Sequence, residues 1–171
     1  MTKIKTLAFS GLRPHKLPWG YNEDHPACRS LILDIRARLA GLIEDENVRY
    51  FVTGMALGAD QICAAIVLDL KSRYPDIMLE AAVPCRNQDF KWPRPSREHY
   101  REILALCDDI YVVCEEYSYD CFERRNSYMI DKCDILLAAW DGRPGGTCNT
   151  VGLAKNSNKR IIVIDPYNFV H

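Results

Sequence analysis

The chain has 171 residues, of which 48% are apolar and 26% are charged. This length allows one sizeable hydrophobic core, and the composition excludes an intrinsically disordered protein. The 22 Lys and Arg residues nearly balance the 23 Asp and Glu residues, so no overall positive field attracts phosphate backbones. We therefore predict one domain over residues 1–171 and expect nucleic acid to be an unlikely partner, although a local basic patch is compatible with a neutral total.

The eight cysteines show no paired metal-ligand spacing, and several, such as Cys63 and Cys114, lie in apolar runs. Cysteine in such a run behaves as a small hydrophobic residue. Without a signal-peptide pattern, this usage favours a cytoplasmic protein. No apolar run approaches the ~20 residues that span a bilayer, so we expect no membrane insertion. The four histidines also lack metal-site spacing, and no metal is predicted.

In chain order, hydrophobic periodicity and glycine or proline breaks predict alternating strands and helices. Strands are predicted at 3–10, 49–53, 77–83, 110–114, 135–140 and 160–164, and helices at 26–45, 59–74, 97–106, 119–132 and 147–156. Two long loops remain, at 11–25 and 84–95. The alternation predicts an α/β fold with three layers, in which a Rossmann-like, open and mostly parallel sheet carries helices on both faces.

Ligands of open parallel sheets bind beyond the carboxyl ends of the strands, so the residues that follow each strand are the candidates. Three such loops contain glycine, which allows backbone N–H groups to approach an anion at a helix N-terminus. One loop alone is better explained as a turn, but three at equivalent strand ends favour a ligand site. Their candidate residues are Gly11 and Arg13, then Gly54, Gly58 and Asp60, then Asp141, Gly145, Gly146 and Thr147.

Single side chains leave two interpretations open. Arg13 can pair with a phosphate or carboxylate, or be a solvated loop residue. Asp60 is better explained by stabilisation of a helix start than by catalysis. Arg124, Arg125 and Asn126 are adjacent on a helix and point in different directions, so only one or two of them can face a ligand. The side chains of Trp19 and Trp92 either stack on a ring of the ligand or pack their loops onto the domain.

Familiar nucleotide-binding and hydrolytic motifs do not occur in the chain. Gly54 and Gly58 do not form the GxGxxG fingerprint, no GxxxxGK[ST] sequence is present, and no His, Ser and Asp set can be assembled from sequence order.

Four segments carry a family resemblance over almost the whole chain: FSGLRPHKL, TGMALGAD, FERRNSYMIDKCDILLAAWDG and PGGTCNTVGLAK. They resemble the bacterial YpsA-type proteins. That family belongs to the SLOG superfamily, which includes the "Lonely guy" phosphoribohydrolases, the DNA-processing protein DprA/Smf and molybdenum-cofactor carriers. The resemblance implies a Rossmann-like nucleotide-binding domain whose ligand site is lined by Gly11, Arg13, the 54–60 loop, Arg125, Asn126 and the 145–147 segment.

The phosphoribohydrolases of that superfamily carry PGGxGTxxE, in which the glutamate serves the chemistry. Here the sequence continues from Pro144 as PGGTCNTV, without that glutamate. Cleavage of an N-glycosidic bond requires a carboxylate that activates water. Asp141, Glu115 or Glu116 can supply one from strand ends, but the altered motif weakens the case for an enzyme.

Three functional hypotheses follow. The first is a sensor or regulatory protein that binds NAD, ADP-ribose or a nucleoside phosphate as its ligand and requires no cofactor. The second is a phosphoribohydrolase-like enzyme, and the third a partner-binding regulator of cell division, as suggested for YpsA-type relatives. A protein partner and a homo-oligomer are both compatible with the sequence.

Overall fold

The computed structural model describes residues 2–171, which form a sheet of six strands with five helices packed on it. The strands are β1 (Lys5–Gly11), β2 (Val48–Thr53), β3 (Met78–Cys85), β4 (Asp109–Cys114), β5 (Ile135–Ala139) and β6 (Arg160–Ile164). The helices are α1 (Pro26–Glu46), α2 (Ala59–Leu70), α3 (Arg94–Leu106), α4 (Cys121–Lys132) and α5 (Gly146–Asn156). Short 3₁₀ helices lie at Pro14–Lys16 and Pro166–Phe169.

The sheet has the order β4-β3-β2-β1-β5-β6, and every strand pair is parallel. β1 therefore lies in the middle, between β2 and β5. Its N-terminal end is fixed by the Thr6 amide, which donates a hydrogen bond to the Asp134 carboxylate at 2.9 Å. The predicted α/β, Rossmann-like fold with helices on both faces is confirmed.

Side-chain alternation along β1 divides the core into two layers. Leu7 and Phe9 point into the larger cluster, which contains the apolar residues of α1, α2 and α3, whereas Ala8 points into the cluster beneath α4 and α5. Successive residues of a strand face opposite sides of the sheet, so one strand supplies both layers. Both faces are thereby covered, as expected for a parallel sheet.

The helix boundaries show where local chemistry overrides periodicity. α1 begins with Pro26 after His25, whose Nδ1 accepts a hydrogen bond from the Ala27 amide at 3.1 Å. The second helix was predicted to reach residue 74 but ends at Leu70. The following turn leads into Pro75, which disfavours helical geometry at Tyr74. The third helix begins at Arg94, three residues earlier than predicted, because proline is tolerated in a first helical turn.

Candidate functional site

A cleft of about 280 Å³ opens at the carboxyl ends of β1 and β5. The two strands are paired up to Gly11 and Ala139, and the Leu12 amide donates a hydrogen bond to the Ala139 oxygen at 3.0 Å. From β1 the chain continues through α1 to one side of the sheet, and from β5 it continues through α5 to the other. The loops after the two strands therefore diverge, and this is the position at which α/β folds bind ligands.

The first wall of the cleft is the loop after β1. Arg13 is exposed, with its guanidinium 5.6 Å from the centre of the Phe122 ring. The 3₁₀ turn that follows brings Lys16 across the cleft, where Nζ donates a hydrogen bond to the Pro144 oxygen at 3.2 Å. Two cationic side chains thus border the same opening.

The N-terminus of α5 forms the opposite wall. Gly145 precedes the helix with φ of 147°, in the region that favours glycine, and a Cβ on it would lie 2.7 Å from Lys16 Nζ. The first N–H groups of a helix have no intrahelical partner and carry partial positive charge. Lys16 therefore lies close to backbone amides that suit an anion.

The loop before α5 is stabilised by contacts among its own residues. Asp141 accepts a hydrogen bond from the Arg143 amide at 3.1 Å and forms an ion pair with the Arg143 side chain. Burial alone would raise the pKa of Asp141, but these contacts hold that pKa below its ordinary value. Arg143 also donates to the Lys16 oxygen at 3.2 Å, and the Tyr167 hydroxyl donates to the same oxygen at 2.9 Å. The two loops are thereby tied together.

Helix α4 contributes a buried cation to the base of the cleft. Arg125 is 5% exposed and donates hydrogen bonds from Nη1 to the Gly54 oxygen at 2.6 Å and from Nε to Asn126 Oδ1 at 2.8 Å. Burial lowers the pKa of its guanidinium, and the Asp60 carboxylate opposes that effect. Arg124, by contrast, is exposed and points away toward Cys114. Arg125 and Asn126 are therefore the members of this trio that line the cleft.

Asp60 is the carboxylate within the cleft. It is 6% exposed, and its Oδ2 accepts a hydrogen bond from the Ala56 amide at 3.2 Å. Among the described residues, no donor reaches its Oδ1. Burial raises the pKa of Asp60, while Arg125 and Arg13 act in the opposite direction. Asp60 lies in the first turn of α2, where its stabilisation of the helix start stays a prediction, and its Oδ1 is free to accept a ligand hydrogen bond.

The structure brings together most of the predicted site residues. Eight of them line the cleft: Gly11, Arg13, Asp60, Arg125, Asn126, Gly145, Gly146 and Thr147. Three lie behind it and support it instead. Gly54 lies against Arg125, Gly58 precedes the Ala59 amide that donates to the Leu12 oxygen at 3.1 Å, and Asp141 orients the loop through Arg143.

Other candidates lie outside the cleft. Trp19 is buried in the larger core cluster, and Trp92 packs edge-on against Tyr100 with ring centres 5.1 Å apart. Glu115 and Glu116 are exposed and do not line the cleft, and Glu115 forms an ion pair with Arg86. The structure therefore offers neither glutamate as a carboxylate for the cleft.

Several residues that line the cleft were not predicted as site residues from the sequence. These are His15, Lys16, Phe122, Trp140, Arg143 and Pro144. Lys16 and Arg143 had a usable signal, since each is a cation in a loop directly after a strand of the predicted sheet. Phe122 had none, because its position depends on how α4 lies over β1.

Two negative findings concern residues 2–171. Within that range, no group of three or more His, Cys, Asp or Glu side chains is arranged to hold a metal ion, and the eight cysteines are free thiols. No helix in the same range is both long and apolar enough to cross a membrane.

Comparison with known proteins gives the family. The sequence profile of the YpsA family, described as "YspA SLOG family", matches residues 7–167. The chain belongs to this family. It is 28% identical over 159 residues to the UPF0398 proteins of Bacillus thuringiensis (strain Al Hakam) and Bacillus cereus (strain Q1), covering 91% of this chain and 85% of each relative. This confirms the resemblance drawn from the four sequence segments.

Solved structures of DNA processing protein A share the fold. The Streptococcus pneumoniae protein superposes with a TM-score of 0.63 at 18% identity, over 94% of this chain and 50% of that one. The Helicobacter pylori protein, described by its single-stranded DNA binding mode, superposes with a TM-score of 0.60 at 19% identity, over 96% and 70%. The YpsA-family chain thus spans about half the length of the first of these proteins.

These neighbours contradict the expectation that nucleic acid is an unlikely partner. The Helicobacter pylori protein, which shares the fold, is described by its single-stranded DNA binding mode. The physical error lay in the use of net charge, because a total of −1 hides a local excess of cations. Arg13, Lys16, Arg125 and Arg143 line the cleft, whereas Asp60 is the carboxylate that lines it.

Proposed function

We propose that this YpsA-family protein binds a phosphorylated nucleoside in the cleft between β1 and β5 and acts as a sensor or regulatory protein. The observation that carries the proposal is that one cleft contains both a site for an anion and a free hydrogen-bond acceptor. A cationic, glycine-fronted helix terminus lies on one side, and the unpartnered, buried Oδ1 of Asp60 lies on the other.

The α5 terminus suits a phosphate group. Backbone amides after Gly145, together with Lys16 and Arg13 at the same opening, supply donors and positive charge. Thr147, in the first turn, adds a hydroxyl to this wall. A dianionic phosphate gains both from the helix dipole and from these cations.

Asp60 suits a sugar hydroxyl. A buried polar atom without a partner costs about 1–3 kcal/mol, so a ligand that donates a hydrogen bond to Oδ1 recovers free energy at this point. Acidic residues after strands of Rossmann-like sheets hydrogen-bond ribose hydroxyls in the same way. Phosphate and ribose recognition together describe a nucleotide.

The cleft volume favours a small ligand. At about 280 Å³ it lies just below the roughly 300–1,000 Å³ typical of ligand pockets. Among the nucleotide-derived ligands considered from the sequence, a nucleoside monophosphate therefore fits better than NAD or ADP-ribose.

The test is isothermal titration of the purified protein with nucleoside 5′-monophosphates, the corresponding nucleosides, inorganic phosphate, NAD and ADP-ribose. We expect binding of a monophosphate and at least tenfold weaker binding of its nucleoside. Gly145→Ala should weaken binding, because a φ of 147° is unfavourable for alanine and the new Cβ would displace the Lys16 ammonium. Gly142→Ala is the matched control, since Gly142 also has a positive φ but a Cβ added there would have no atom within 4 Å. Equal binding by both variants would refute the phosphate site.

Single-stranded nucleic acid is the second candidate. It is favoured by the shared fold of the DNA processing proteins and by the cations that line the cleft. Oligonucleotides present the same phosphate chemistry along a chain, and their binding weakens strongly with salt. Titration with short single-stranded DNA at two salt concentrations separates the candidates. Tighter binding of an oligonucleotide than of any monophosphate, lost in Lys16→Ala, would place nucleic acid first.

The enzyme hypothesis has one carboxylate in the cleft to support it, Asp60, and it is tested in the same samples. Chromatography after incubation with each monophosphate reveals any free base. Base release that is lost in Asp60→Asn would make the protein a hydrolase, whereas intact nucleotides would favour the sensor function.

A further inference from the structure

Three thiols meet near the cleft but outside it, at the carboxyl ends of β3 and β4. Cys85 and Cys114 are directly opposite each other in the pairing of these strands. Cys121 is the first residue of α4, and its thiol is near enough to that of Cys85 to contribute to the raised pKa of Cys85. Cys85 and Cys121 are buried, whereas Cys114 is partly exposed.

Cys114 has the surroundings of a reactive thiol. Its Sγ accepts a hydrogen bond from Arg124 Nη1 at 3.1 Å, and the Ser118 hydroxyl lies 3.8 Å away. Reactive cysteines lie in electropositive and partly exposed surroundings, and the Arg124 contact and the partial exposure of Cys114 give this thiol both features. Cys85 is different, because burial raises the pKa of its thiol.

The spacing between the strands also suits a disulfide. Directly paired residues of neighbouring strands are separated by about 4.8 Å, within the Cα separation of roughly 4.4–6.8 Å that disulfides span. No large movement of the sheet is needed to join Cys85 and Cys114.

We propose that Cys114 is an oxidation site and that hydroperoxides convert Cys114 and Cys85 into an intramolecular disulfide. The Cys114 thiolate attacks a peroxide oxygen, the O–O bond breaks, and sulfenic acid forms while the departing oxygen leaves as water or an alcohol after protonation. The Cys85 sulfur then attacks the Cys114 sulfur, the S–O bond breaks, and water leaves with the Cys85 proton. Two thiols are oxidised by two electrons, and one peroxide is reduced.

This disulfide lies beside the start of α4, the helix that carries Phe122, Arg125 and Asn126 into the cleft. Arg124 contacts the Cys114 sulfur from the first turn of the same helix. Oxidation therefore alters a contact of the element that forms the base of the cleft. The oxidation chemistry itself does not depend on which ligand the cleft binds.

The experiment treats the reduced full-length chain with hydrogen peroxide, blocks free thiols under denaturing conditions and maps peptides by mass spectrometry with and without reductant. We expect a reducible cross-link between the peptides of Cys85 and Cys114, with Cys107 still free. Cys107 is the internal control, because it is also partly exposed but lies outside the cluster. Oxidation of Cys107 as fast as that of Cys114, or absence of the cross-link, would overturn the proposal.

Variants separate the two steps. Cys85→Ser should leave a sulfenic acid at Cys114 that dimedone traps, and Arg124→Gln should slow Cys114 oxidation several-fold. Cys107→Ser should form the cross-link at the rate of the unaltered chain. A Cys85→Ser chain in which dimedone labels Cys107 rather than Cys114 would also refute the assignment.

Discussion

Arg125 Nη1 donates a 2.6 Å hydrogen bond to the backbone oxygen of Gly54, in the buried space between α4 and the end of β2. The contact leaves so little room that a Cβ on Gly54 would lie 2.4 Å from Nη1. The absence of a side chain at Gly54 therefore fixes where the Arg125 cation lies at the base of the cleft.

Gly54→Ala is expected to displace Arg125, with a loss of stability of about 1–3 kcal/mol, as for other overpacked sites. Ligand affinity should fall with it, because the guanidinium no longer holds its position. Urea unfolding and ligand titration measure the two effects. Gly41→Ala, within α1 and with no atom within 4 Å of the added Cβ, should instead stabilise the chain by up to about 1 kcal/mol. Similar effects of both substitutions would show that the Gly54–Arg125 contact has no special role.

Tyr167→Phe removes the hydroxyl that donates to the Lys16 oxygen at 2.9 Å and accepts from Arg143 at 3.3 Å. A typical hydrogen bond contributes about 0.5–1.5 kcal/mol, so we expect monophosphate affinity to fall by a factor of about 2–12. Calorimetry measures this change. Tyr117→Phe, at an exposed tyrosine away from the cleft, is the control and should bind normally. Unchanged affinity in Tyr167→Phe would mean that Lys16 is held without the hydroxyl.

Asp60 should give the protein a distinctive pH dependence. Burial raises its pKa above the ordinary value of 3.8, so between these two pKa values the native state binds more protons than the unfolded state. The contribution of Asp60 to the free energy of unfolding therefore falls as pH rises through that interval. Asp60→Asn has no group that titrates at this position, so its free energy of unfolding does not contain this pH-dependent decrease. The stability of the variant relative to the unaltered chain should therefore rise over the same interval. Urea unfolding at closely spaced pH values measures the difference, and a pH-independent difference would contradict the burial argument.

Asp108 is expected to behave in the opposite sense. Burial alone would raise the pKa of Asp108, but hydrogen bonds from the Lys71 ammonium and the Leu79 amide hold this pKa below 3.8. The resulting stabilisation is present above 3.8 and is lost as pH falls through the lowered pKa. Asp108→Asn should be less stable than the unaltered chain, and this loss of stability, measured by thermal unfolding, should be largest near neutral pH and smaller in acid. Lys71→Met should lose stability with the same pH dependence. A loss of stability in Lys71→Met that persists in acid would exclude the ion pair as its cause.

Much of the fold was predictable because its determinants are local. Leu31, Ile35 and Leu39 recur at helical spacing and are fully buried in α1, and the buried strand 135–139 is apolar throughout. Parallel strands end at one edge, so residues that follow them were expected to converge, and most did. Glycine or proline breaks also located the loops that form the walls of the cleft.

The remainder depends on contacts between distant parts of the chain. Lys16 reaches Pro144 across 128 sequence positions, through a 3₁₀ turn that periodicity does not reveal. Gly54 was expected to face the ligand but instead lies against Arg125. Net charge also gave no sign of the local excess of cations, because compensating carboxylates lie on other surfaces.

The central place of β1 affects the order in which the chain can fold during synthesis. β1 is synthesised before β2 and can pair with it early, but its other edge stays open until β5 emerges more than a hundred residues later. Pairings between distant segments form slowly, and open strand edges expose a chain to misassembly. The cleft is bounded by this late pairing, so a nascent chain has no binding site until β5 and the start of α5 have been made, and ligand can stabilise only a chain in which that pairing has formed.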